Sequence, residues 1–210
     1  LGQPVIVDNQ RSAPISLEVG ARMSPDGYNL LVVGESLWQL PLLQENVPYD
    51  AVRDFSPISL IEMSVNIVGV HPSVPAKSVK ELVALARARP GELNYASSGA
   101  GGAPFLAAEL LKSMAGINII HVPYKGSTPA LTALLGGEVH LLITSPNLIM
   151  PNAKAGKLRA LAVTSAQPSL LYPDLPTVVA SGLPGYEATG MTGIVAPART
   201  PEAIINRLNQ

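Results

Sequence analysis

The chain reads as an α/β protein, and three observations point there. From residue 92 onward, four short apolar segments recur in order: "ELNYASSG", "INIIHVPY", "EVHLLITS" and "KLRALAVTS". Between them lie "APFLAAELLKSMAG", "TPALTALLGG" and "NLIMPNAKAG", stretches of about ten residues with helical character. Ahead of them, Ser78 and Glu81 stand at capping-box spacing, and Val79, Leu82, Val83 and Ala86 line one helical face until Pro90-Gly91 ends it. Strands separated by helices cannot be joined as hairpins, so the alternation predicts βαβ crossovers and a parallel-rich sheet.

The other elements follow in order. "PVIVDN" is an apolar run, residues 14 to 22 form a weak helix, and Pro25-Asp26-Gly27 turns the chain into a short strand over Tyr28 to Val33, giving a strand-helix-strand opening. Residues 35 to 57 mix apolar and turn residues, and "ISLIEMSVNIVGVHP" supplies one or two strands. "HPSVPAKSV" is a Pro-rich crossing, a candidate hinge or boundary. After the four βα units, "TVVASGLPGYEATGMTGIVAPARTP" is a Pro- and Gly-rich return segment. "TPEAIINRLNQ" then starts a helix with Pro201 at its first position and Ile204, Ile205 and Leu208 on one face. Leu1-Gly2 reads as the capped end of a helix. Both ends are therefore expected to be cut in mid-element, with a signal peptide upstream.

Composition narrows the function classes. The chain has 210 residues, enough for one large domain or two smaller lobes. A formal charge of -1, with 14% charged residues and scattered basic side chains, gives no basic face for nucleic acid. No window reaches the roughly 18 to 20 consecutive apolar residues of a membrane span. The absence of cysteine excludes a disulfide framework, Cys-based zinc sites and thiol catalysis.

In open parallel sheets, ligands bind beyond the carboxyl ends of the strands. Here those ends carry Ser97, Ser98 and Gly99, then Tyr124 to Ser127, then Thr144 and Ser145, then Thr164 and Ser165. Hydroxyls, glycine backbone and helix N-termini with their partial positive charge favour an anion such as a carboxylate without any arginine. The same Ser and Thr residues are also ordinary helix N-caps, a reading that explains part of the pattern by itself.

Enzyme motifs fare worse. Gly99, Gly101 and Gly102 begin like a dinucleotide fingerprint, but the third glycine would fall on Pro104. "YKGST" has Lys and Ser in the wrong order for a phosphate loop, and Ser98 lacks the G-x-S-x-G elbow of hydrolases. His71, His121 and His140 lie far apart, with no second metal-type residue at ligand spacing, and read as locally hydrogen-bonded strand or loop residues. Trp38 and Tyr124 suit pocket wall or core, and the methionines suit packing. No catalytic residue, metal or cofactor is expected.

Taken together, "PDGYNLL", "VPYDAVRDFSPIS", "VHPSVPAKSVKELVALARARPGELNYASSG", "HVPYKGSTPALTALLGGEV", "AGKLRALAVTS" and "YPDLPTVVASGLPGYE" resemble, in order and spacing, the Bug family. These are the extracytoplasmic solute receptors of tripartite tricarboxylate transporters. The resemblance implies a type II periplasmic-binding-protein fold: two α/β lobes with a Venus-flytrap cleft, crossing near residues 70 to 76 and returning near 186 to 194. Residues 1–72 would form an incomplete first lobe, 73–186 the second lobe, and 187–210 an incomplete return to the first. It also implies a monomeric, lipid-free periplasmic receptor that is not inserted in the membrane. Such a receptor captures a small organic mono- or dicarboxylate and delivers it to the transporter's membrane permease subunits.

Carried over by position, the site-bearing residues are Ser36 with Leu37, Ser97 with Ser98, and Thr144 with Ser145, joined by Gly99 from the strand-end pattern. Many members have an acidic-amide pair where Thr144-Ser145 stands, and that change favours a plain carboxylate over an amino acid. Two alternatives remain at this level. One is an α/β enzyme acting on a small anionic or phosphorylated substrate, which should place a general base in its cleft. The other is a secreted family member that has lost ligand binding.

Overall fold

A computed structural model describes residues 4–10, 13–99 and 102–210 of the chain. The helix end expected at Leu1-Gly2 lies outside the described residues. The chain divides into two compact units: residues 1–63 with 191–210, and residues 64–190. Both divisions fall inside extended strands, β2 (Phe55–Val65) and β8 (Thr189–Pro197), so the chain passes twice between the units as strand.

The first unit holds α1 (Ala13–Ala21), β1 (Leu31–Val33), α2 (Ser36–Leu43), and α7 (Glu202–Asn209). Its three-stranded sheet has the order β1-β8-β2, with β1 antiparallel to β8. Leu17, Leu31, Val33, Leu37, Phe55 and Val195 are buried together at its centre. Helix α1 reaches the sheet through Gly20, where a β-carbon would lie 2.0 Å from Leu31 Cδ2, closer than any side chain can pack. Three sequence expectations change here. "PVIVDN" is not a strand: residues 4–10 are irregular, with Val5, Ile6 and Val7 exposed. The mixed stretch after Val33 contains helix α2 despite Pro41 inside it, and the return segment is a nine-residue strand, β8.

In the second unit, five strands run in the order β5-β4-β6-β3-β7: β3 (Ile67–Val70), β4 (Asn94–Ser97), β5 (Ile120–Pro123), β6 (Leu141–Thr144) and β7 (Arg159–Val163). β4 is parallel to β5 and β6, while β3 is antiparallel to both β6 and β7. The sheet is therefore mixed, because β3 enters from β2 rather than from a crossover helix. Every residue of β3 and β6 is buried, as expected of strands covered on both faces.

Pleating sends alternate side chains to two cores. Tyr95, Leu141 and Ile143 pack with α3 (Val79–Ala88) and α4 (Ala103–Ala115), whereas Ala96 and Leu142 pack with α5 (Ser127–Leu135) and α6 (Pro146–Lys154). The Pro-rich residues 71–77 lie within this unit. Val74 and Ala76 are buried there, and Arg159 Nη1 donates to Val74 O at 3.1 Å and Ala76 O at 2.7 Å.

Candidate functional site

The sequence-derived candidates divide between the units. Ser36 and Leu37 belong to the first; Ser97, Ser98, Gly99, Thr144 and Ser145 belong to the second. Ser36 opens α2 beyond the end of β1, and its carbonyl accepts the Tyr49 hydroxyl at 3.2 Å. The Leu37 side chain is 5% exposed in the core, and its N–H donates to Gly34 O. Trp38, 37% exposed on α2, lines an apolar groove of about 370 Å³ with Leu60 and Met191. An apolar wall of this kind offers nothing to stabilise a carboxylate.

The second unit gathers its five candidates at one place. β4 is flanked by β5 on one side and β6 on the other, both parallel to it, so successive crossovers diverge there. That is the switch point at which open α/β sheets leave a crevice at the strands' carboxyl ends. Ser97, Ser98 and Gly99 stand at the end of β4, and Thr144 and Ser145 at the end of β6.

The helices that start there are open at their N-termini. α4 follows Gly102 and α5 follows Gly126, neither with a side-chain cap. Pro104 fills the first turn of α4, leaving the N–H groups of Ala103 and Phe105 without intrahelical acceptors. Ser145 occupies the N-cap position of α6, yet its hydroxyl turns to Asn147 Oδ1 at 2.5 Å instead of the backbone. α3, which starts elsewhere, has a side-chain cap: Ser78 Oγ accepts Glu81 N–H at 3.1 Å, and Glu81 Oε2 reaches back to accept Lys77 N–H at 2.8 Å. The Ser and Thr residues at these strand ends are thus not ordinary caps.

Individual hydroxyls separate further. Ser98 is half-buried, with its Oγ 3.3 Å from where a β-carbon on Gly102 would be, so it stands over the start of α4. Ser97 is wholly buried, and its Oγ lies 3.0 Å from Gly99 O and 2.7 Å from His121 Nε2. Gly99 has φ +125°, a conformation that favours glycine. Thr144 is 2% exposed, and Ser145 is half-buried. Thr164, at the end of β7, is fully buried and belongs to the framework: it accepts from Asn66 N–H at 2.9 Å and donates to Ala188 O at 2.7 Å.

All three histidines bond locally: His71 to Ser73, His121 to Ser97 and His140 to Asn94. Beside His121, the Tyr95 hydroxyl donates to Glu109 Oε1 at 2.5 Å and Lys112 Nζ donates to the same oxygen at 2.6 Å. Burial would raise the Glu109 carboxyl, but the bonds from Lys112 and Tyr95 outweigh it and hold the group below the usual carboxylate range. Burial, then the Glu109 carboxylate, pushes the Tyr95 phenol well up. Burial also lowers His121, with Glu109 opposing and Lys112 assisting. Sequence spacing alone missed this cluster, because Tyr95, Glu109, Lys112 and His121 meet only once β4, β5 and α4 are packed.

The comparisons extend these observations. A family model described as "Tripartite tricarboxylate transporter family receptor" matches residues 1–210. A curated relative from Pseudomonas sp. strain P51, the "UPF0065 protein in tcbD-tcbE intergenic region", is 35% identical over 212 residues. Those residues are 100% of this chain and 63% of the relative, so the chain spans under two thirds of that protein's length. Protein BugT of Bordetella pertussis is 34% identical, over 100% of this chain and 66% of BugT.

Among solved structures, an R. palustris protein with adipate is 37% identical, with a TM-score of 0.79, over 93% of this chain and 66% of that one. MatC from Rhodopseudomonas palustris with bound malate is 27% identical, with a TM-score of 0.76, over 99% of this chain and 72% of that one. The two-unit α/β architecture is therefore that of periplasmic binding proteins of this kind. With the family match covering every residue, the chain belongs to the receptors of the tripartite tricarboxylate transporter family.

Proposed function

We propose that the second unit's crevice, at the carboxyl ends of β4 and β6, binds a small organic mono- or dicarboxylate. The protein containing this chain would then be a periplasmic solute receptor that delivers the acid to membrane permease subunits. The observation that carries the reading is the pair of open helix N-termini, α4 and α6, beside the switch point, with the Ser98 hydroxyl over the first of them. Unpaired N–H groups and aligned helix dipoles stabilise an anion where no arginine is needed. Adipate and malate in the two R. palustris structures support the ligand class. Ser98, Gly99, Thr144 and Ser145 are the residues we assign to the ligand.

The assignment also explains why no catalytic role is needed. Ser97 and His121 lie at a distance compatible with a nucleophile and its base, but Ser97 is 0% exposed and its hydroxyl already serves Gly99. A nucleophile sealed from substrate cannot attack it.

Thermal unfolding in the presence of adipate, malate, an amino acid, a sugar phosphate and a nucleotide tests the reading. A carboxylate present at a hundred times its dissociation constant adds ~2.7 kcal/mol of stability and raises the melting temperature visibly. Upshifts with the plain carboxylates alone are expected. Stabilisation by the phosphate or nucleotide, with none from any carboxylate, would overturn it.

A further inference from the structure

His121 stands one strand away from the crevice, with its ring between Tyr95 and Phe105 at centroid distances of 4.9 and 4.8 Å. Its Nε2 faces the buried Ser97 hydroxyl at 2.7 Å. That hydroxyl carries a single proton and has three neighbours: Gly99 O at 3.0 Å, Gly99 N at 3.2 Å and His121 Nε2. Only one assignment satisfies all three. Ser97 donates to Gly99 O, and its lone pairs accept from Gly99 N–H and from His121 Nε2–H. Were Nε2 the acceptor, the proton would turn to the ring and Gly99 O would lose its donor. The left-handed backbone at Gly99 would then be held by one bond instead of two.

We propose that His121 is a positioning residue for carboxylate binding. Its Nε2–H, relayed through the Ser97 hydroxyl, fixes Gly99 and so holds the neighbouring Ser98 hydroxyl over the N-terminus of α4. The role rests on the receptor reading for its ligand, but the brace itself exists without ligand. The charged and titratable groups around the ring are Tyr95 on β4 and Glu109 and Lys112 on α4. Neutral Nε2–H imidazole and imidazolium both present the same donor, so the brace does not depend on which of them is present.

Two readouts on the full chain test the proposal: adipate affinity by calorimetry, and amide hydrogen exchange at Gly99 in ligand-free protein. His121→Phe keeps a ring between Tyr95 and Phe105 but loses the donor. Loss of one such bond corresponds to about tenfold weaker binding, together with faster Gly99 exchange. His121→Gln restores an N–H donor and should recover affinity to within about threefold of the parent. Ser97→Ala, which removes both Gly99 bonds as well as the ring's, should lose at least as much as His121→Phe, and the double variant should be no worse than Ser97→Ala alone, since the ring acts only through that hydroxyl.

Unchanged affinity and exchange in His121→Phe would overturn the proposal. So would a His121→Gln variant as weak as His121→Phe, or additive losses in the double variant. If His121→Phe does not fold, Gly99 exchange in His121→Leu, which also lacks the donor, decides. If the parent protein binds no carboxylate, the receptor reading fails, while the ligand-free exchange data still decide whether His121 braces the loop.

Discussion

At the scale of single residues, the second unit uses its hydroxyls in two ways, and exposure tells them apart. Ser98 and Ser145 are half-buried at strand ends, whereas Ser97 and Thr164 are sealed inside and spend their bonds on backbone. The same neighbourhood sets a pH dependence. Burial lowers His121, so the folded state holds the ring neutral further into acid than the unfolded chain does. Above the ring's ordinary value of ~6.5 the group is neutral in both states, and its contribution to stability is complete. As pH falls below that value the unfolded chain takes up the proton first, and stability is lost through the window down to the lowered folded value. Urea midpoints measured from pH 7.5 to 5 should therefore fall more steeply in the parent than in His121→Gln. Parallel slopes would remove His121 from the acid response. In sequence, Ser97 and Ser98 are indistinguishable neighbours in "YASSG"; only the pleat, which buries one and turns the other to the loop, assigns their roles.

At the scale of elements, the contrast between α3 and α4 is a choice between helix stability and anion binding. α3 caps its N-terminus with a side chain, while α4 does not. Gly102→Asp tests the choice directly. Its backbone, at φ -79° and ψ 161°, accepts a side chain, whose β-carbon presses on Ser98 Oγ at 3.3 Å just as in an uncharged Gly102→Asn control, and an N-cap aspartate is worth a few tenths of a kcal/mol or more over glycine. The same carboxylate would occupy the partial positive charge and repel a bound acid. Expected is a melting temperature equal to or above that of the parent, with adipate affinity down by about tenfold or more. Undiminished affinity would show that α4 does not hold the ligand.

Elements were unequally legible in the sequence. β4 to β7 and the helices between them stood out because each is a short apolar run bounded by glycine or proline, as in "KLRALAVTS" after Gly156. α2 was hidden by Pro41 and by "SLWQLPLL", whose apolar residues show no helical period. β8 was hidden by Gly190, Gly193 and Pro197; a side chain at Gly193 would meet Ser59 O at 3.0 Å, so the glycine that obscures the strand also lets β2 approach it. The antiparallel run of β3 was not legible at all, because side-chain alternation carries no strand direction. The second unit's candidate residues were read from their strand-end positions and Ser36 with Leu37 from the family resemblance, whereas the histidine beside Ser97 needed the packed structure.

For the molecule as a whole, Thr164 is the point where distant stretches of the second unit are tied together. Besides its two side-chain bonds, its N–H donates to Asn66 O at 3.0 Å and its carbonyl accepts from Ala188 N–H, also at 3.0 Å. Asn66 follows β2 and Ala188 precedes β8, so one residue fastens the beginning and end of the unit to the edge of β7. Thr164→Val keeps the shape but leaves the Asn66 N–H without its hydroxyl acceptor, at a cost of about 1–3 kcal/mol. Thr164→Ser should recover most of that. A Thr164→Val protein with an unchanged urea midpoint would mean the hydroxyl contributes nothing.

The strand order β1-β8-β2 also bears on the order of assembly. A ribosome releases residues 64–190 as one uninterrupted stretch, so the five-stranded sheet has all its members early. In the small sheet, β1 and β2 are synthesised before that stretch and β8 after it, so β8 can enter between them only once residues 64–190 have emerged.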